Sequence, residues 1–423
     1  MLTTILRKEH KNKWERRTCL TPESVKELIQ QGFKIDVEKS DKRIFSNQQY
    51  QSVGCHLVSS PKNYQFILGI KEPPVSSIQQ NQVHLCFSHT HKGQPYNLPL
   101  LQKFIDKKST LIDYELITDD ANVRTIAFGR FAGIAGAVDT LGLAGQKYTL
   151  QNIDSGLSQI SQSWQYQNKK DIKQKFSQLK LTQGNPVRVV IVGSGKVGKG
   201  AEEVCQWLGL EKITPEQLLS QQYIPQSFYS VLSSKDLMKE KGKPFNPKSF
   251  DYVDYLKMGK EKYESVFSHY LGSFDILLHT PYWEQKYPKL LPLALLQEKE
   301  NLLPTIIGDI SADINGSLAC THKASDTDHP VFSFDVQQNC IKDGLDINKL
   351  SVMSIDNLPC ELPMDASEHF SSILPQYLPQ IMSMDLNNNW QQIALPQPLK
   401  KATIVYKGQL TPNFSYLNTH LKS

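Results

Sequence analysis

The chain has 423 residues and a formal net charge of +5, with 39% apolar and 21% charged residues; that is enough length for two domains with cores of their own. Its basic residues are scattered rather than gathered in a block, which argues against nucleic acid as a partner, and no apolar run reaches the length of a membrane span. The N-terminal stretch lacks the apolar segment of a signal peptide, and the seven cysteines are odd in number and form no C-x-x-C pair; these features point away from a disulfide framework or a zinc site and toward a reducing, cytoplasmic setting in which the fold begins at once.

Taken in order, residues 2–6 predict a first strand. Thr21 is a good N-cap with Pro22 at the first helical position, so a helix is expected over residues 24–31, closed by Gly32. Residues 34–38, 66–70, 83–87 and 109–114 predict further strands, and 98–107 a helix. Strand alternating with helix is an α/β domain in its own right. The Gly- and Ala-rich run 127–150 has helical spacing and reads as the connection to a second domain, with surface helices and loop over 151–185.

That second domain opens on the strongest signal in the chain. Val187-Arg188-Val189-Val190-Ile191-Val192 reads as a buried parallel strand. It runs into Gly193-Ser194-Gly195-Lys196-Val197-Gly198, and helical spacing follows from Gly200 to Leu208. Strand, G-x-G-x-x-G and helix in this order form the dinucleotide-binding fingerprint. Gly193 permits the tight turn, Gly195 lets the backbone approach a pyrophosphate, and Gly198 lets the helix sit close to the strand. The helix N-terminus offers free N–H groups to the phosphates. Residues 216–270 read as polar and irregular. Strands are expected at 274–279 and 305–310, whose ends, at 280–283 and 309–313, should face the same crevice as the glycine loop. Strand-like runs at 331–334 and 351–359, a helix at 365–378 and a strand at 402–406 complete the reading.

The candidate chemistry of the first domain sits at the ends of its strands: Arg17 in the loop after 2–6, Lys71 and Glu72 after 66–70, His89 and His91 after 83–87, and Tyr114 and Glu115 at the end of 109–114. A parallel sheet exposes such positions at its carboxyl edge, where titratable groups converge.

Gly69-Ile70-Lys71-Glu72-Pro73-Pro74, Phe87-Ser88-His89-Thr90, Leu111-Ile112-Asp113-Tyr114-Glu115 and Ala127-Phe128-Gly129 also carry a resemblance. With Tyr282-Trp283-Glu284, Asp309-Ile310-Ser311-Ala312-Asp313 and Ser354-Ile355-Asp356-Asn357-Leu358-Pro359, the sequence resembles the lysine–2-oxoglutarate reductase portion of α-aminoadipic semialdehyde synthase, in a stand-alone form. More distantly it is similar to the fungal saccharopine dehydrogenases and to alanine dehydrogenase. The expected architecture is α/β, two Rossmann-like domains flanking a cleft, each a parallel sheet with helices on both faces. The expected divisions are 1–135 for the catalytic domain, 136–330 for the dinucleotide domain and 331–423 for a segment returning to the first.

The resemblance implies reductive condensation of L-lysine with 2-oxoglutarate to saccharopine. The amine must lose a proton to attack, and the carbinolamine hydroxyl must gain one to leave. By motif these tasks fall on Lys71 and His89; which is acid and which is base at each step stays open. Arg17, in the run Arg17-Thr18-Cys19-Leu20-Thr21-Pro22, and Arg124 are the implied carboxylate binders, since Arg suits bidentate recognition. Glu72 is expected to hold Lys71, and Glu115 to receive the amine. The implied cofactor is NADPH, with NADH as the alternative: Thr214 stands where an NAD-selective acid is expected, with Lys212 close by. Thr280, Asp309, Asp356, Asn357 and Leu358 are carried over as cofactor neighbours, and no metal is expected. Three alternatives remain open: the NAD-dependent, lysine-forming direction; another amino-acid or opine dehydrogenase; and a non-catalytic nucleotide-binding sensor.

Overall fold

The computed structural model describes residues 1–220 and 225–421. The chain divides into two compact units, Met1–Ala127 with the chain from Pro363 onward, and Phe128–Leu362. Among the described residues the first unit holds β1 (Thr4–Leu6), β2 (Ile35–Glu38), β3 (Leu57–Val58), β4 (Phe66–Leu68), β5 (Val83–Cys86) and β6 (Thr110–Asp113). The second holds β7 (Arg188–Val192), β8 (Glu211–Ile213), β9 (Phe228–Leu232), β10 (Met238–Glu240), β11 (Tyr263–Ser265), β12 (Ile276–His279), β13 (Ile306–Asp309), β14 (Val331–Asp335), β15 (Cys340–Asp343) and β16 (Leu350–Met353). β17 (Thr403–Tyr406) and β18 (Gln409–Leu410) return to the first unit.

The sheet of the first unit runs β18-β17-β6-β5-β4-β1-β2-β3. It is parallel from β6 to β3, while β17 runs antiparallel to β6. Its central strands are buried along their whole length because both faces are covered, and Ile5, Leu68, Leu85 and Ile112 are fully buried. The helix Leu98–Asp106 puts Leu100, Leu101 and Phe104 into a cluster with Leu111, Ile404 and Val405. A Phe or Leu buried this way contributes about 1.5–3 kcal/mol. Thr21 caps the helix Pro22–Gln30, its side chain accepting from the Ser24 N–H.

The sheet of the second unit runs β15-β14-β16-β13-β12-β7-β9-β8, parallel from β16 to β8 and antiparallel at β14 and β15. The helix Gly129–Leu150 packs against the fingerprint helix Lys196–Trp207 through small residues. A Cβ on Gly133 would fall 1.9 Å from the Val197 carbonyl oxygen, and one on Gly200 would fall 2.1 Å from that of Arg130.

Several expectations change. The return to the first unit comes at Pro363, not 331, because β16 pairs in parallel with β13 and carries β14 and β15 with it. Residues 216–270 are structured where described. Phe228–Leu232 forms a strand between β7 and β8, and β10 and β11 pair as antiparallel strands on either side of the helix Tyr252–Met258. The fingerprint helix starts at Lys196, with Gly195 as its N-cap. The helix expected over 365–378 ends at Ile373 and continues as a 3₁₀ turn, where Pro375 removes a backbone donor. No helix among the described residues is long and apolar enough to cross a membrane.

Candidate active site

In the first unit, loops after β1, β4, β5 and β6 meet at the carboxyl edge of the sheet, and buried acids fix their shapes. Glu9 accepts from the backbone N–H groups of Ile70 (2.7 Å) and Lys71 (3.1 Å), and its carboxylate pairs with Arg7 at 3.3 Å. Arg7 also donates to the Lys71 carbonyl. Gly69 is required here, because a Cβ would fall 2.3 Å from the Arg7 guanidinium. Lys71 is therefore presented by a loop whose backbone is held from two sides.

Arg17 is buried and forked onto Glu15, Nε to Oε1 at 2.7 Å and Nη2 to Oε2 at 2.5 Å. Burial lowers the pKa of the Lys71 ammonium from its ordinary 10.5, and the positive charge of Arg17 lowers it further, against the opposing pull of Glu15. Glu72 accepts from Lys11 at 3.2 Å. Burial works to raise the Glu72 carboxyl, but its own backbone N–H, Lys11 and Lys71 bring it below the ordinary carboxylate value. Its Oε2 is buried without a hydrogen-bond partner among the described residues.

His89 takes a left-handed backbone, φ +55. Asp113, fully buried at the end of β6, holds it there: Oδ2 accepts from the Ser88 N–H (3.0 Å), the Ser88 hydroxyl (2.6 Å) and the His89 N–H (3.1 Å). Its Oδ1 accepts from the Glu115 N–H at 2.8 Å. The His89 ring lies near-parallel to Phe87, and its Nδ1 is 2.9 Å from Glu115 Oε2. Lys92 reaches Glu115 Oε1 at 3.5 Å, and Arg124 donates to the same oxygen. Desolvation opposes ionisation of Glu115, but His89, Arg124 and Lys92 hold its carboxyl far below the ordinary range. A fixed anion on Nδ1 orients the imidazole so that Nε2 is the nitrogen left for proton transfer.

The first-unit candidates thus fall into two sets on neighbouring strand ends, Arg17 with Lys71 and Glu72, and His89 with Glu115 and Arg124. Arg17, Glu115 and Arg124, expected to bind substrate, each have an ion-pair partner inside the protein. Glu9, Glu15 and Asp113 were not singled out in the sequence. Their signal is an acid placed at a strand end or two positions from a motif arginine.

In the second unit a cavity of about 680 Å³ opens at the glycine loop. It is lined by Gly193, Ser194, Gly195, Lys196, Val197 and Gly198, by Thr280, Pro281 and Tyr282 after β12, and by residues of the 233–256 stretch. Gly193 has φ +100, and its Cβ position is filled by the Thr280 hydroxyl at 2.4 Å. A Cβ on Gly198 would fall 1.9 Å from the Gly193 carbonyl oxygen, whereas the space beside Gly195 is open. Close packing behind the loop and open space before it fit a pyrophosphate laid on the N-terminus of a twelve-residue helix.

The other expected cofactor neighbours stand outside the described lining. Asp309 is buried, its oxygens taken by His279 Nδ1 (2.9 Å), Ser311 (2.7 Å) and Thr321 (2.6 Å). Asp356 is exposed, Asn357 has φ +68, and Leu358 packs in the core by Gly136. Thr214 caps the short helix Pro215–Leu219 beyond β8, so it is separated from β7 by the whole of β9.

Comparisons with known proteins bear on the fold and the family. A family model of the alanine dehydrogenase/PNT N-terminal domain matches residues 5–135. An L-alanine dehydrogenase structure shares the fold with a TM-score of 0.63 at 16% identity, covering 99% of both chains. The transhydrogenase from Sinorhizobium meliloti does so with 0.60 at 14%, covering 96% of this chain and 99% of that one. The fold is therefore the one these structures share, two Rossmann-like α/β units. The saccharopine dehydrogenase [NAD(+), L-lysine-forming] of Candida glabrata is 30% identical over 394 residues, which make up 89% of this chain and 91% of that protein. The chain belongs to the saccharopine dehydrogenase family of oxidoreductases. It is also 33% identical to the α-aminoadipic semialdehyde synthase of Arabidopsis thaliana and 28% to the mitochondrial enzyme of Mus musculus, over 97% of this chain in each case. It spans 41% and 47% of those two proteins, less than half of their length.

Proposed function

We propose that this chain catalyses the NAD(P)H-dependent reductive condensation of L-lysine with 2-oxoglutarate to give saccharopine, with NADPH as the preferred cofactor. The observation that carries the reading is the pairing, on neighbouring strand ends, of a lysine depressed by burial and Arg17 with a histidine oriented by Glu115. Lys71 in its neutral form takes a proton from the substrate ammonium or from the carbinolamine. His89, with Nδ1 on Glu115, exchanges the second proton through Nε2. Glu72 Oε2, buried and unpartnered among the described residues, suits the cationic amine of lysine. Arg124, half-exposed on Glu115, and Arg17 supply positive charge for the substrate carboxylates. The cofactor, when bound, supplies hydride to the imine carbon.

The lysine-forming oxidation of saccharopine with NAD is the second reading, favoured by the near full-length match to the Candida glabrata relative. It uses the same residues in reverse. The test is consumption of reduced nicotinamide by lysine and 2-oxoglutarate added singly and together, with each cofactor. A requirement for both substrates supports the condensation. Nucleotide binding without turnover on this pair would defeat it.

A further inference from the structure

We propose that Ser234 and Lys235, at the carboxyl end of β9, form a subsite for the 2′-phosphate of NADP(H). This rests on the reading of the glycine-loop cavity as a dinucleotide site. In such folds the strand beside the fingerprint strand carries, at its end, the residue that meets the adenosine ribose. An acid there receives the 2′-hydroxyl of NAD, and cations or hydroxyls accommodate a 2′-phosphate. Here that strand is β9. Val192 of β7 is level with Leu232, and the Gly193 N–H donates to the Leu232 carbonyl at 2.8 Å. The next residues, Ser233, Ser234 and Lys235, line the cavity with the glycine loop.

The acid that follows is turned away. Asp236 is buried, and its Oδ2 accepts from the N–H (2.8 Å) and hydroxyl (2.7 Å) of Ser233. Among the described lining residues there is no carboxylate, while Lys196 and Lys235 both contribute. Glu216, which interacts electrostatically with Lys235, stands outside that lining. Thr214 is one strand further out, about 5 Å beyond β9, and its hydroxyl accepts from the Gln217 N–H at 3.2 Å. Between β10 and β11 the chain supplies Phe250, Tyr252, Tyr255 and Leu256 to the same wall. Tyr255 is packed by Phe250 at 5.5 Å and Tyr287 at 5.2 Å. Flat apolar side chains beside a cation suit a purine carrying a 2′-phosphate.

The test is equilibrium binding to the full chain by titration calorimetry, with NADPH, NADH and adenosine 2′,5′-bisphosphate as probes. The wild type is expected to bind NADPH more tightly than NADH, and to bind the bisphosphate. Lys235→Ala should lower the NADPH-to-NADH affinity ratio about tenfold, the effect of one charge-assisted contact. Ser234→Asp combined with Lys235→Ala should reverse the preference. Lys235 is exposed, so folding is not at stake. An unchanged ratio in Lys235→Ala would overturn the proposal alone, and equal affinity for both cofactors in the wild type would overturn it together with the NADPH preference proposed above. Failure of all three probes to bind would overturn it together with the dinucleotide reading.

Discussion

Replacing Glu115 by Gln keeps the shape beside His89 and removes the charge. The His89 Nδ1 to Glu115 Oε2 distance is 2.9 Å, and the carboxylate is an anion at any working pH because His89, Arg124 and Lys92 outweigh its desolvation. A hydrogen bond to a charged group is worth about 1.5–3 kcal/mol and a neutral one about 0.5–1.5. The substitution should therefore weaken the hold on the imidazole by about 1–2 kcal/mol, which is roughly 5- to 30-fold in rate. Steady-state assays with lysine, 2-oxoglutarate and reduced cofactor should show this loss in kcat, with KM for the cofactor unchanged. Cofactor KM should hold because the glycine loop lies in the other unit. His89→Gln should cost more, about 10²–10⁴-fold, the range for a missing acid–base group. Thermal melting should stay near wild type, since Arg124 and Lys92 are half-exposed partners of the kind that contribute at most about 1 kcal/mol. Wild-type kcat in Glu115→Gln beside an inactive His89→Gln would refute the orienting role.

Lys71→Met should abolish turnover while nucleotide affinity, measured by calorimetry, stays at the wild-type value; loss of both would mean that the residue is structural. Gly133→Ala drives a Cβ to 1.9 Å from the Val197 carbonyl oxygen, so the two helices must part. A cost of at least about 1–3 kcal/mol should appear as a lower melting temperature with weaker nucleotide binding, and an unchanged melt would contradict the packing. Asp139, buried with Glu361 around Ser163, has its carboxyl pushed well above its ordinary 3.8 by desolvation and by Glu361. Its folded pKa is raised, so its contribution to stability is complete below 3.8 and is lost as pH climbs toward the folded value. Asp139→Asn should flatten the fall in melting temperature between acid and neutral pH, and an identical slope would count against a raised Asp139 carboxyl.

Features with a local steric cause were legible in the sequence. The φ of +100 at Gly193 and the cap at Thr21 follow from neighbouring residues, so motif and helix start read correctly. The place of β9 did not, because strand order is a matter of which strands pair, and no periodicity records it. A polar setting also hid the run Phe228–Leu232. That one insertion is why the subsite proposed above is drawn at Ser234 and Lys235, at the end of β9, rather than at Thr214, beyond β8. At the candidate site, Lys71 and His89 were visible as residue types at strand ends. The partners of Arg17 and Glu115 were not, since a sequence does not distinguish a solvated acid from one that accepts several backbone N–H groups, as Glu9 and Asp113 do. The boundary at Pro363 was missed for the same reason as β9: the antiparallel strand β14 joins a parallel sheet from outside.

The most direct test of the central claim is the absorbance of reduced nicotinamide in the presence of the purified chain with lysine and 2-oxoglutarate. Oxidation of NADPH that needs both substrates, with saccharopine formed in equal amount, is the expected result. Nucleotide binding without any oxidation on adding both substrates would contradict it.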